Sequence, residues 1–267
     1  MTRTFLALLQ FDGRRFVGWQ RQRSGRSVQG EVEAVLARLA GTAVAAVAAG
    51  RTDAGVHAEA LGVSFALGER WTATALRRAM NALLPDDCWV AAVHPMADTF
   101  HARRSAIARR YRYLVGTDDA SASPFRRHAE WALQRPLDLG ALREAAAAIT
   151  GEHSFVAFSV RGQEKPHYRC RIRTAEWRER PAGRGTEFRI EADRFLHHMV
   201  RMLVGTMVDA GLGRRPVADV ERLLASGDNA GSSPPAPPQG LYFVTALYPR
   251  SLYAVPIEER HDALQTG

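Results

Sequence analysis

The feature that most restricts how this chain can fold is an order of strand and helix patterns that its apolar residues spell twice. Within Arg3 to Phe11 a continuous apolar run predicts a buried strand. Ser27 is placed to cap a helix running to Ala40, with Val28, Val32, Val35, Leu36 and Leu39 at helical spacing and Gly41 where a C-terminal cap belongs. Ala43 to Ala48 and Leu61 to Phe65 predict two further strands. Thr72 opens a helix that puts Leu76, Met80, Leu83 and Leu84 on one face and stops at Pro85; Cys88 to Val93 is a fourth strand. This is βαββαβ, the split, ferredoxin-like unit.

The later sequence repeats the order with insertions. Arg109 to Val115 alternates Tyr111, Tyr113 and Val115 with Arg110, Arg112 and Leu114, which predicts a strand. A helix over Leu137 to Thr150 follows. Strands over Tyr168 to Trp177 and Glu187 to Ala192 come next, joined by a turn at Gly183 and Gly185. A helix over Phe195 to Ala210 ends at Gly211, a helix opens at Pro216 and runs to Ala225, and a strand covers Leu241 to Leu247. The expected fold is therefore α+β: two ferredoxin-like βαββαβ halves, residues 1–105 and 106–250, forming one extended antiparallel sheet with helices on one face, and a tail over 251–267. Gly116 to Pro124, and Ser226 to Gln239 (SGDNAGSSPPAPPQ), read as loops, the second mostly a surface connection except at its end, Gln239, Gly240 and Leu241.

Charge narrows the partners. Lys plus Arg number 36 against 28 Asp plus Glu, a net charge of +8, and Lys165 is the only lysine. Arginine binds phosphate bidentately, so a polyanion such as nucleic acid fits, although a GC-rich genome that writes Arg for Lys gives the same composition. Two distant cysteines, Cys88 and Cys170, make neither a disulfide framework nor a Cys-based zinc site and suit a reducing cytoplasm. The apolar run near the N-terminus is too short for a signal or spanning helix, so a soluble cytoplasmic protein without membrane attachment is expected.

Four segments could carry chemistry. Gly50 to Ala58, GRTDAGVHA, lies between two predicted strands, and its glycines permit tight backbone. In extended backbone Arg51 and Asp53 project to the same side. Asp53 is a nucleophile or base there, or a turn aspartate bonding its own backbone. Arg194 to Gly205 falls almost wholly on the helix predicted over Phe195 to Ala210, whose core stripe is Leu196, Met199, Val200, Leu203 and Met207. Its Arg201 is either a partly buried cation needing a carboxylate, for which Asp53 is a candidate, or a surface arginine. His197 and His198, adjacent on that helix, would not share a face, so no metal site is expected. Tyr111 and Tyr113 with Arg110 and Arg112 suit base stacking and phosphate contact, or a plain amphipathic strand. Phe11 to Gln22 is a polar loop against RNA or a hairpin turn. GxGxxG, P-loop, EF-hand and GxSxG patterns are absent, and no cofactor is expected.

In order, FDGRRFVGWQ, GRTDAGVHA, ARRYRY and RFLHHMVRMLVGTMVDAG followed by SPPAPPQGLYFV resemble the TruA family of tRNA pseudouridine synthases, from about Phe5 to Pro249. The resemblance implies two ferredoxin-like halves around a central basic cleft, and a homodimer that binds tRNA and isomerises uridines of the anticodon stem-loop without metal or cofactor. It makes Asp53 the catalytic aspartate and Arg201 its basic partner. Tyr111 would pack on the target base, Arg51 would help displace it, and Leu241 would line the pocket; His57 and Arg110 complete the expected substrate-binding set. Two departures stand out. Phe11 replaces the family's usual tyrosine, and Ser159 to Arg173 is rich in arginine and divergent. The rival readings are a non-catalytic RNA-binding protein or tRNA chaperone, and a metal-dependent nuclease using Asp53 with His197 or His198.

Overall fold

The computed structural model describes residues 1–160 and 167–255. The expectations for Lys165, for the middle of Ser159 to Arg173 and for the tail beyond 255 lie outside the described residues. Two compact units divide the chain: Met1–Ala108 together with the segment from Phe243 onward, and Arg109–Tyr242. The chain re-enters the first unit within its last strand.

In the first unit β1 (Thr2–Phe11) lies between β3 (His57–Gly68) and β4 (Cys88–Pro95), antiparallel to both. A central strand is buried on both sides, which is why Phe5 to Leu9 are uniformly apolar. β2 shrinks to Val47–Ala48, paired with β3, because the alanine run around it has little to pack. β3 begins at His57, four residues before the periodicity indicates, since pairing with β1 carries Ala58 opposite Phe11. α1 (Val28–Ala40) starts where the Ser27 hydroxyl accepts the Gly30 N–H at 3.2 Å and ends at Gly41, φ +76°. α2 (Ala73–Leu83) is capped by Thr72, and Asn81 ties it to β4, donating to the Val90 carbonyl and accepting the Val90 N–H. β10 (Leu241–Leu247) crosses the boundary between the units, and from Phe243 on it lies beside β3.

In the second unit the strand order is β5 (Ala108–Gly116), β9 (Thr186–Ala192), β8 (Arg169–Glu179) and β7 (Gly151–Ser154), antiparallel throughout. β6 (Trp131–Ala132) runs parallel to β5. Neither β6 nor β7 is legible in the sequence: one is two residues long, the other, GEHS, has no apolar alternation and forms by pairing with β8. α3 (Leu139–Ala148) is capped by Asp138 and packs against α4 (Met199–Gly211); α5 is Asp219–Ala225. Trp177 of β8 is fully buried, its indole N–H on Met207 Sδ at 3.2 Å and its ring 5.0 Å from Phe188. Ten strands and five α-helices occur among the described residues; β1 with β3 and β4, β2 with β3, β5 with β9, and β8 with β7 and β9 pair antiparallel, and β5 with β6 parallel. No described helix is long and apolar enough to cross a membrane.

Candidate active site

GRTDAGVHA bridges β2 and β3 in the first unit. Gly55, at φ +79°, closes a turn in which the Val56 N–H donates to the Asp53 carbonyl at 3.2 Å. Thr52 and Val56 are buried, Asp53 is half-buried and Arg51 is exposed. A second loop, leaving β1 at Phe11, holds this turn from both sides. The Trp19 N–H donates to the Thr52 carbonyl at 3.1 Å, and the Gly13 N–H to His57 Nδ1 at 3.2 Å. The two backbones touch so closely that side chains are excluded. A Cβ on Gly13 would lie 2.1 Å from the Val56 carbonyl oxygen, and one on Gly18, where φ is +108°, 2.6 Å from that of Thr52. The holding loop is in turn tied to the start of α1, whose otherwise orphaned Val28 and Gln29 N–H groups donate to the Gly18 and Trp19 carbonyls. Phe11 to Gln22 therefore braces the Asp53 turn. Sequence reasoning placed this segment against RNA or in a hairpin; the paired glycines Gly13 and Gly18 were the available signal.

His57 is buried, and its Nδ1 accepts the Gly13 N–H, so its proton sits on Nε2. Asp12 Oδ1, 3.4 Å from that nitrogen, is then a neighbour and not an ion-pair partner. Burial pushes the Asp12 carboxyl up, but the side-chain and backbone hydrogen bonds from Arg14, with its charge, outweigh it and hold the group below its ordinary range. His57, expected to bind substrate, sits in the structure as part of the brace.

The second unit carries Arg110, Tyr111, Arg201 and Leu241. Tyr111 of β5 is 9% exposed and meets the edge of Phe195, ring centroids 5.0 Å apart. Arg110, on the opposite face, gives its Nε to Glu191 at 2.7 Å, so any phosphate contact it makes competes with that ion pair. Arg201 lies on α4, half-buried. Its Nε donates to the Ala236 carbonyl at 2.7 Å, and its carbonyl accepts the Ala236 N–H at 2.9 Å. Leu241 is buried at the start of β10. The segment 226–239, expected to be mostly a surface connection, is bonded along its length. Asn229 donates to the Ser159 carbonyl, Ser233 to Asp209, and the Pro237 carbonyl accepts the Tyr113 hydroxyl.

The histidines are placed differently from the expectation. α4 begins at Met199, so His197 and His198 precede the helix and do not occupy adjacent faces of it. His198 adopts φ +61°, which turns the chain sharply and brings the two imidazoles to 4.1 Å between ring centroids.

Comparison with known proteins defines the class first: the family model described as tRNA pseudouridine synthase matches residues 145–249. Over nearly the whole chain the similarity is more particular. tRNA pseudouridine synthase A of Myxococcus xanthus is 40% identical over 240 residues, 90% of either chain. The protein of that name from Thermus thermophilus is 39% identical over 251 residues, 92% of this chain and 97% of its own. That from Paraburkholderia phymatum is 40% identical over 261 residues, 96% and 94% respectively. The chain belongs to the tRNA pseudouridine synthase A family.

Proposed function

We propose that this chain converts uridines of the tRNA anticodon stem-loop to pseudouridine, with Asp53 as the catalytic carboxylate. As a member of its family the chain is an isomerase of tRNA modification. The observation that supports the site assignment is the bracing from both sides, by Trp19 and Gly13, of the turn that carries the half-buried Asp53.

The reaction breaks the uracil N1 to ribose C1′ bond, turns the base, joins C5 to C1′ and releases the C5 proton. Asp53 either attacks covalently or takes a proton from the ribose; redox chemistry and an energy source are not required. Arg201 is the basic partner of Asp53, Tyr111 packs on the target base, Arg51 helps displace it from its stack, and Leu241 keeps water from the cleaved intermediate. Arg110 and His57 belong to the same substrate-binding set, His57 by holding the turn. The wider reading is a protein of two ferredoxin-like halves, 1–105 and 106–250, that form an extended sheet around a central basic cleft. It works as a cytoplasmic homodimer without metal or cofactor.

Tritium release from tRNA carrying 5-tritiated uridine tests this. Asp53→Asn is expected to abolish release while tRNA binding survives. Substantial release by the variant would remove Asp53 from catalysis. No release by folded wild type with intact binding would favour the RNA-binding reading, and loss of activity on chelation the nuclease one.

A further inference from the structure

Tyr113 stands two residues along β5 from Tyr111 and is fully buried, its ring edge-on to Trp131 at 6.4 Å. Its hydroxyl donates to the Pro237 carbonyl at 2.7 Å. Gly240 lies against the same ring so closely that a Cβ there would fall 2.6 Å from Cζ. One residue before Pro237, the Ala236 carbonyl accepts Arg201 Nε and the Ala236 N–H donates back to the Arg201 carbonyl. Two consecutive carbonyls are thus received by one tyrosine and one arginine on separate elements, and the segment so fixed leads directly into Leu241. Burial raises the Tyr113 hydroxyl well above its ordinary range, against a smaller opposing effect of Arg201, so the donated proton stays in place at working pH.

We infer that Tyr113 is a positioning residue: through Pro237 and Gly240 it fixes the segment that sets the direction of the Arg201 guanidinium and the depth of Leu241. This rests on the reading of Arg201 and Leu241 as site residues. Spending Arg201 Nε on Ala236 leaves the terminal guanidinium nitrogens to face other groups, and the angle at which they do so follows the Ala236 carbonyl. That carbonyl is held in turn by its neighbour's bond to Tyr113.

The test is single-turnover tritium release with enzyme in excess, alongside tRNA binding and urea unfolding, for Tyr113→Phe, Gly240→Ala, Arg201→Lys and the Tyr113→Phe/Arg201→Lys double variant. Tyr113→Phe keeps the ring and loses only the hydroxyl. Its rate is expected to fall about tenfold with tRNA affinity within about twofold of wild type, as for the loss of one hydrogen bond that orients a working group. Gly240→Ala, which pushes on the ring, should show the same split between rate and affinity. In the Arg201→Lys background the hydroxyl should no longer matter, and the double variant should match Arg201→Lys within about twofold. A general loss of packing would instead move urea midpoints and add its penalty in either background. Wild-type rates for Tyr113→Phe, or a full independent penalty in the double variant, would overturn the inference. So would a slow Tyr113→Phe beside an unimpaired Arg201→Lys, and that result would leave the Asp53 assignment standing, since Asp53→Asn tests it separately.

Discussion

Gly18 shows how much a single position can decide. Its φ of +108° is one that residues with a side chain rarely adopt, and the added atom would press on the Thr52 carbonyl, next to Asp53. Gly18→Ala is expected to cost about 2 kcal/mol of stability, within the range for a strained non-glycine residue. It should also slow turnover by roughly tenfold or more in the fraction that remains folded, because the turn must shift to admit the methyl group. Urea unfolding and tritium release at saturating tRNA check the two effects; an unchanged rate would show that Asp53 does not depend on this bracing. The turn at Asp53 was legible in GRTDAGVHA, since two glycines around a carboxylate mark a tight turn. Its partners Gly13 and Gly18 were not, because two loops some forty residues apart press together only after β1 and β3 have paired.

At the scale of elements, the second unit is organised around Trp177, which joins β8 to α4 through Met207 and to β9 through Phe188. Trp177→Ala should destabilise that unit by about 3–5 kcal/mol, as expected when a fully buried large aromatic is removed and the cavity does not collapse. The urea midpoint measures this, and a shift worth less than about 1 kcal/mol would mean the site refills. The long helices and β1, β5, β9 and β10 were readable because their apolar period is sustained. What escaped was set by neighbours. β7 exists through its pairing with β8, and the start of α4 moved from Phe195 to Met199 because the chain turns at His198 with a positive φ that no periodicity encodes. The Pro-rich segment before Gly240 was recognised as irregular, but its bonds to Ser159, Asp209 and Tyr113 come from residues distant in sequence.

For the whole molecule, the net charge of +8 bears on the partner. tRNA affinity should fall linearly with salt on logarithmic axes, with a slope of about −0.9 for each duplex phosphate neutralised, since each contact releases counterions. Filter binding between about 50 and 200 mM salt measures it, and that interval spans a large loss for six or more contacts. A flat dependence would remove arginine–phosphate contact from the reading. Many arginines are already engaged by acids, Arg110 and Arg173 on Glu191 and Arg126 on Asp118 and Glu130 among them, so the slope should be far smaller than a count of arginines suggests. The return of the chain to its first unit at Phe243 has a consequence for biosynthesis. While a ribosome is still making residues 109–242, β3 lacks its β10 neighbour and Gly62 lacks the Tyr248 side chain that packs on it. The unit whose first strands are translated first is completed only after the second unit has been made, and the nascent protein must keep the part of β3 that β10 later covers from mispairing until the residues from Phe243 on leave the exit tunnel.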